Sequence, residues 1–284
     1  MHSIVREHRF EVEAGCTIYG REHGDASGRW ILALHGLTRN SEDFDALAPH
    51  LPSGWRMLAL DLRGRGRSSY APEWRNYVPL TYVRDVRVVL AQVGIERCVF
   101  LGTSLGGLLT LLIGSVTPQL LAGAILNDIG CAIDPSGLAR IQQYTGQLPP
   151  VATWDEARDQ IKSVYGETLS DLTDNDFDVL ARRSFAEDAE GRPTLRFDPA
   201  IGRAIRELDM PLGDMWAHLD QISAVPTLLL RGAESDILNR QTAESMAARH
   251  PNLEWIEVDG RGHVPLLNEP ACVSAITEFL SRLR

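Results

Sequence analysis

The sequence predicts an α/β fold: a mostly parallel, doubly wound sheet with an N-terminal antiparallel hairpin and a helical cap insertion. Three observations predict it. Short apolar runs of strand length recur along the chain, amphipathic stretches of helical period separate them, and the alternation breaks once, over residues 133–218.

The runs are Trp30-Ile-Leu-Ala-Leu34, Arg56-Met-Leu-Ala-Leu60, Cys98-Val-Phe-Leu101, Ala122-Gly-Ala-Ile-Leu126, Thr227-Leu-Leu-Leu230 and Leu253-Glu-Trp-Ile-Glu-Val258. Continuous apolar runs of this length suit strands buried on both faces, as in a parallel sheet. Between them, Tyr82, Val83, Val86, Val89, Leu90 and Val93 recur at helical spacing, with Gly94 as the stop. Val273, Ile276, Phe279, Leu280 and Leu283 repeat the pattern near the C-terminus, with Pro270 at its start. Strand–helix alternation of this kind puts helices on both faces of a parallel sheet. Residues 10–19 read instead as a β-hairpin turning at Ala14-Gly15, which adds antiparallel strands at one edge.

Residues 133–218 are more polar, lack buried-strand runs and contain Pro149-Pro150. They read as a mostly helical insertion between two strands. The core domain is then 1–132 together with 219–284. An insertion leaving the sheet just after the Cys98 and Ala122 runs is placed to cover the carboxyl edge, where open α/β sheets bind ligands. Trp154 and Trp216 are its candidate pocket surfaces.

Composition bounds the function. Of 284 residues, 44% are hydrophobic and 23% charged, and the formal net charge is −10. That balance disfavours a nucleic-acid partner, which an acidic surface repels; the densest basic cluster is only Arg63, Arg65 and Arg67 in a Gly-rich turn. Cys16, Cys98, Cys131 and Cys272 form no C-x-x-C pair, so a reducing, cytoplasmic setting is expected. Residues 1–15 hold no apolar segment of signal-peptide type, and the most apolar stretch, 105–116, is too short and Gly-rich to span a bilayer, so no membrane partner is expected. Neither H-E-x-x-H nor a Cys/His cluster is present, so no metal is expected. Gly64-Arg-Gly66 opens a dinucleotide fingerprint that fails at Ser69, so no cofactor is expected either.

The chemistry centres on Gly102-Thr-Ser104-Leu-Gly106-Gly107, a G-x-S-x-G pattern that follows one apolar run and opens a helix-like segment. A turn this sharp leaves no room for side chains at Gly102 and Gly106, and it lifts the Ser104 hydroxyl to a helix N-terminus, where developing negative charge is favoured. His35-Gly36-Leu37 follows the first run of the sheet. Its turn can aim the Leu37 N–H at the same point as the Leu105 N–H, forming an oxyanion hole, while His35 braces the loop. Of eight histidines, only His263 lies just past the last apolar run, in a small-residue loop, and it is the candidate base. For the acid, Asp236, Glu234 and Asp128 all follow strand runs. Asp236 is preferred because its strand neighbours the one before His263, giving the chain order Ser, Asp, His.

These segments, with Asp61-Leu-Arg-Gly-Arg-Gly-Arg-Ser68, resemble the α/β-hydrolase superfamily, in particular its lid-bearing esterases, lactonases and C–C bond hydrolases. The resemblance implies Ser104, Asp236 and His263 as a triad, Leu37 and Leu105 as oxyanion donors, and 133–218 as the cap. It implies acyl transfer from a small, largely apolar ester, lactone or diketone. The serine at position 104 departs from the aspartate nucleophile of dehalogenases and epoxide hydrolases. Leu37-Thr-Arg-Asn-Ser41 departs from the Gly-Pro-Gly-like stretch usual in C–C hydrolases. For a C–C substrate, Arg140, Arg158, Arg182 or Arg183 of the cap would hold a carboxylate. Cofactor-free haloperoxidases share the triad, and a ligand receptor built on the same fold is the non-enzymatic alternative.

Overall fold

The computed structural model describes residues 5–208 and 212–283. Its elements run β1 (Arg6–Glu13), β2 (Cys16–Gly24), β3 (Arg29–Leu34), β4 (Trp55–Asp61), α1 (Pro79–Val93), β5 (Cys98–Thr103), α2 (Leu105–Val116) and β6 (Leu121–Asn127). After these come α3 (Pro135–Tyr144), α4 (Trp154–Tyr165), α5 (Asp174–Ser184), β7 (Phe185–Glu187), β8 (Pro193–Leu195), α6 (Ala200–Glu207) and α7 (Met215–Gln221). The chain closes with β9 (Thr227–Gly232), α8 (Arg240–Arg249), β10 (Leu253–Val258) and α9 (Pro270–Arg282).

The main sheet has eight strands in the order β1-β2-β4-β3-β5-β6-β9-β10. From β4 to β10 all pairs are parallel; β2 pairs antiparallel with both β1 and β4. The N-terminal hairpin is longer than the 10–19 read from sequence, because charged residues such as Arg6 and Glu22 pair across it at 2.7 Å and extend it beyond its apolar centre.

The β5 strand illustrates why unbroken apolar runs mark this sheet. Cys98 and Phe100 pack on the side of α1 and α2, whereas Val99 and Leu101 pack against α9, so both alternating sets are buried. β9 divides in the same way, with Leu229 on one side and Leu228 and Leu230 on the other. α1 starts with Pro79 at its first position and stops at Gly94, whose left-handed φ of 75° lets its N–H reach the Leu90 and Ala91 carbonyls. The carboxyl ends of β3, β5, β6, β9 and β10 open on one edge, and Leu37, Ser104, Leu105, Asp128, Asp236 and His263 lie just beyond them.

Between β6 and β9 the chain leaves the sheet. α4 and α5 share a small core of their own built on Ala157, Ile161, Phe177 and Leu180. The two-stranded β7–β8 hairpin was not foreseen; its strands have three residues each, too short to register as a pattern. α7 runs across position 218, and its Met215 and Leu219 join the main core. Polar bonds dock the excursion on the sheet edge. Asn40 Nδ2 donates to the Arg183 carbonyl (2.6 Å), Gly66 N–H to the Arg196 carbonyl (2.7 Å), and Gly262 N–H to the Thr168 carbonyl (2.8 Å). No helix among the described residues is long and apolar enough to cross a membrane.

Among the buried histidines, His35 and His23 are the most strongly held in the neutral form. Burial lowers His35 to about 3 and His23, on β2, to about 4. The unfolded chain takes up these protons near pH 6.5 and the folded chain does not, so each site costs stability as pH falls from about 6.5 toward its folded value. Removing the His23 site by His23→Gln should therefore shrink the loss of unfolding free energy between pH 7 and pH 5 by about 1–2 kcal/mol. Urea titrations of both proteins at the two pH values check this; equal losses would mean that His23 is charged when folded.

Candidate active site

Ser104 sits between β5 and α2 with φ 49°, a left-handed conformation that a non-glycine residue rarely adopts. Close packing enforces it. A Cβ on Gly102 would overlap the Gly106 carbonyl, and one on Gly106 would overlap the Leu34 carbonyl at the end of β3. The Ser104 N–H donates to the Asn127 carbonyl (2.9 Å), and the Ser104 carbonyl accepts from Gly107 and Leu108 (2.9 and 3.1 Å). The hydroxyl is thereby held above the sheet edge.

His263 reaches Ser104 from the loop after β10. Its Nε2 lies 2.9 Å from Ser104 Oγ, and its Nδ1 lies 2.7 Å from Asp128 Oδ2. An ionised carboxylate only accepts, so Nδ1 carries the proton and Nε2 is free to accept from the serine hydroxyl. Asp128, fully buried, lies one residue past the end of β6 with φ 56°. It also accepts from Gly232 N–H (2.8 Å) and Ser235 Oγ (2.6 Å). Three donors meet the cost of burying this charge.

The preference for Asp236 is thus corrected. β9 does neighbour β10, but Asp236 lies four residues past the end of β9, and the carboxylate hydrogen-bonded to His263 is that of Asp128. Both its oxygens accept from Arg140, at 2.6 and 2.9 Å. Partial burial opposes its charge, but the Arg140 bonds win and its pKa falls below the ordinary value. Asp128 leads because its strand lies between β5 and β9, beside the strand that carries Ser104. The order Ser, Asp, His holds for either aspartate, so chain order could not separate them.

At the oxyanion position, Leu37 and Ser104 line the same cavity, and Leu105 is the first residue of α2. Neither the Leu37 nor the Leu105 N–H has a hydrogen-bond acceptor among the described residues. The loop is braced from behind. His35 Nδ1–H donates to the Gly36 carbonyl (2.6 Å), and its Nε2 accepts from Leu62 N–H (2.9 Å). Arg65 Nε donates to the Leu37 carbonyl (2.8 Å), a contact no sequence pattern indicated.

Two pocket assignments are also corrected. Trp154 donates to Glu187 (3.1 Å), packs on the α4–α5 core and carries the Arg182 guanidinium over its ring at 4.6 Å. Trp216 packs against the main core beneath Arg249. Neither lines the cavities at Ser104, whose aromatic walls are Tyr144 and Tyr165 on one side and Tyr77 and Tyr82 on the other. Both large aromatics serve core packing instead, Trp154 in the α4–α5 lobe and Trp216 on the main core.

The four arginines named as carboxylate holders separate clearly. Arg140 is engaged by Asp236, Arg158 by Asp155 and Asp159, and Arg182 lies on Trp154; Arg183 lines the cavity beside Ser104. Arg63 and Arg65 of the basic turn are fully buried, so that cluster is no surface patch. Among the described residues no group of His, Cys, Asp and Glu is arranged to hold a metal ion.

Residues 29–270 match the family model for the alpha/beta hydrolase fold. The chain is 29% identical over 270 residues to a 3-hydroxybutyrate-oligomer hydrolase of Cupriavidus necator, covering 92% of this chain and 91% of that protein. Among solved structures, it matches an alpha/beta hydrolase from Novosphingobium aromaticivorans with a TM-score of 0.92 and 38% identity over 98% of both chains. A putative hydrolase from Rickettsia typhi matches at 0.86 and 25% identity, over 98% of this chain and 99% of that one.

The geometry sets two aspartate variants apart. Asp128→Asn should lower turnover of an activated ester by about 10⁴-fold, because an amide there favours the wrong imidazole tautomer. Asp236→Asn should cost less than about tenfold, acting through the Arg140 contact at the pocket rim. Steady-state kinetics on the two proteins decides; the reverse ranking would return the acid to Asp236.

Proposed function

Since the chain belongs to the α/β-hydrolase family, we propose that it is a serine hydrolase that cleaves a carboxylic ester of a small, largely apolar substrate through an acyl-enzyme. The observation that carries this reading is the unbroken chain from Ser104 Oγ to His263 Nε2 (2.9 Å) and from His263 Nδ1 to Asp128 Oδ2 (2.7 Å). The similarity to a protein named as an oligomer hydrolase of 3-hydroxybutyrate supports an oxygen ester as the scissile bond.

Ser104 attacks the carbonyl carbon while His263 takes its proton, and the oxyanion forms against the Leu37 and Leu105 N–H groups. A single such donor is typically worth about 3–4 kcal/mol in the barrier. Asp128 stabilises the imidazolium. The C–O bond then breaks, and His263 returns the proton to the departing alcohol. Water, deprotonated by His263, attacks the acyl-serine and releases the acid. The excursion between β6 and β9 serves as a cap. Ile141, Tyr144, Tyr165, Leu169 and Leu180 face Ser104 across a shared cavity, and excluding water there strengthens each electrostatic contact. Four free, buried cysteines suit a reducing, cytoplasmic setting.

A fluorophosphonate probe should label the protein stoichiometrically, and Ser104→Ala should abolish both labelling and hydrolysis of p-nitrophenyl hexanoate. Labelling of the variant at the wild-type level would remove Ser104 from the mechanism, and binding of acyl compounds without turnover by the wild type would favour a receptor.

A further inference from the structure

Two cavities meet at Ser104, and they differ in chemistry. One, of about 300 Å³, is walled by aliphatic side chains including Leu105, Leu108, Ile133, Leu138, Ile205 and Leu212, and no charged residue lines it among the described residues. The other, of about 70 Å³, is walled by His263, Arg39, Asp43, Tyr144, Tyr165 and Arg183, with further apolar contacts. Leu37, Ser104 and Ile141 border both, so the nucleophile stands at the waist between them.

His263 lines only the smaller chamber. The residue that deprotonates Ser104 must also protonate the departing oxygen, so that oxygen leaves on the His263 side. The acyl group then extends the opposite way, into the aliphatic chamber. This assignment rests on the serine-hydrolase reading above.

Charge defines the leaving-group chamber further. Arg39 is neutralised within it, donating twice to Asp43 (2.9 and 2.6 Å) and once to Ser184 (2.6 Å). The Arg183 guanidinium forms no hydrogen bond or ion pair among the described residues, although its own carbonyl accepts from Asn40. Asp45, the carboxylate that feels its field, is engaged by Arg21 at 2.9 Å. A partly buried guanidinium that lines the cavity and has no carboxylate or carbonyl of its own is free to pair with a carboxylate there.

We propose that the substrate is an ester joining an apolar acyl chain, held in the aliphatic chamber, to an alcohol that carries a carboxylate, which pairs with Arg183. Hydrolysis breaks the acyl C–O bond with Ser104. The released hydroxycarboxylate takes its proton from His263, and water completes the fatty acid.

The test compares the hexanoyl ester of 3-hydroxypropanoate with its methyl ester, and reads kcat/KM for the charged substrate divided by that for the neutral one. Wild type should favour the carboxylate, and Arg183→Met should lower that ratio roughly ten- to hundredfold, the worth of a hydrogen bond to a charged group. Arg183→Lys should restore part of it. Each protein is normalised to its own rate on p-nitrophenyl hexanoate, which separates misfolding from lost recognition. In a second arm, Ile205→Trp should cut hexanoyl relative to acetyl esters of one alcohol and leave the charge ratio in place. A charge ratio unmoved in Arg183→Met, with Ser104-dependent hydrolysis intact, overturns this inference alone. Absence of any Ser104-dependent ester hydrolysis overturns the hydrolase reading and takes this inference with it.

Discussion

The site depends on one steric constraint: at the head of α2 the backbone packs against β3 and β5 with no side chain between. Gly106 lies against the Leu34 carbonyl and Gly102 against the Gly106 carbonyl. The chain can make that passage only by forcing Ser104 to φ 49°, at a cost of about 1–3 kcal/mol. Three backbone hydrogen bonds around Ser104 and the buried first two turns of α2 over-determine the strained turn. The same contact brings the end of β3, and hence the 35–37 loop, beside the first N–H of α2. The positions of Ser104 and of the Leu37 and Leu105 N–H groups are therefore consequences of a single close approach.

The placement of His263 depends on a second constraint, a buried charge at a strand end. Asp128 cannot be buried without donors, and those it has come from β9, from the turn after β9 and from His263. Around it the loop after β10 is pinned at several points. Arg261 pairs with Glu269 (2.6 Å) and with Asp171, Gly262 donates to the Thr168 carbonyl, and Asn127 Nδ2 donates to the Pro265 carbonyl (3.0 Å). Two of these anchors belong to the excursion between β6 and β9. The imidazole is thus located jointly by the sheet and by the segment that covers it, so displacement of that segment would be felt at His263.

Legibility in the sequence followed the range of the interactions. The strands announced themselves because both faces of each are buried, and the elbow because Gly102 and Gly106, which backbone contacts demand, flank Ser104 at a fixed spacing. His263 was legible as a small-residue loop past the last strand. The acid was not, because the choice between Asp128 and Asp236 turns on where one side chain points after a strand ends. That in turn depends on Arg140, ninety-six positions away from Asp236. Trp154 and Trp216 were read as pocket walls on size alone, yet size also serves core packing, for Trp154 in the α4–α5 lobe and for Trp216 against the main core. Tyr144 and Tyr165 face the cavity from the ends of α3 and α4, at positions no periodicity distinguishes.

Arg65 joins these parts. Its buried guanidinium donates to the Leu37 carbonyl and to the Arg63 carbonyl (2.7 Å), and lies 4.7 Å from the centre of the Tyr82 ring. Its backbone bridges to Phe197 of the excursion. A cation is expensive to bury, and carbonyl dipoles and an aromatic face offset that expense without adding a negative charge beside the developing oxyanion. A carboxylate in the same place would hold the guanidinium more firmly and oppose the reaction. The chemistry is set by the sheet edge, through contacts of backbone and strand ends. The excursion between β6 and β9 is tied to that edge at Arg65, engaged on the inner side, while Arg183 is left facing the cavity.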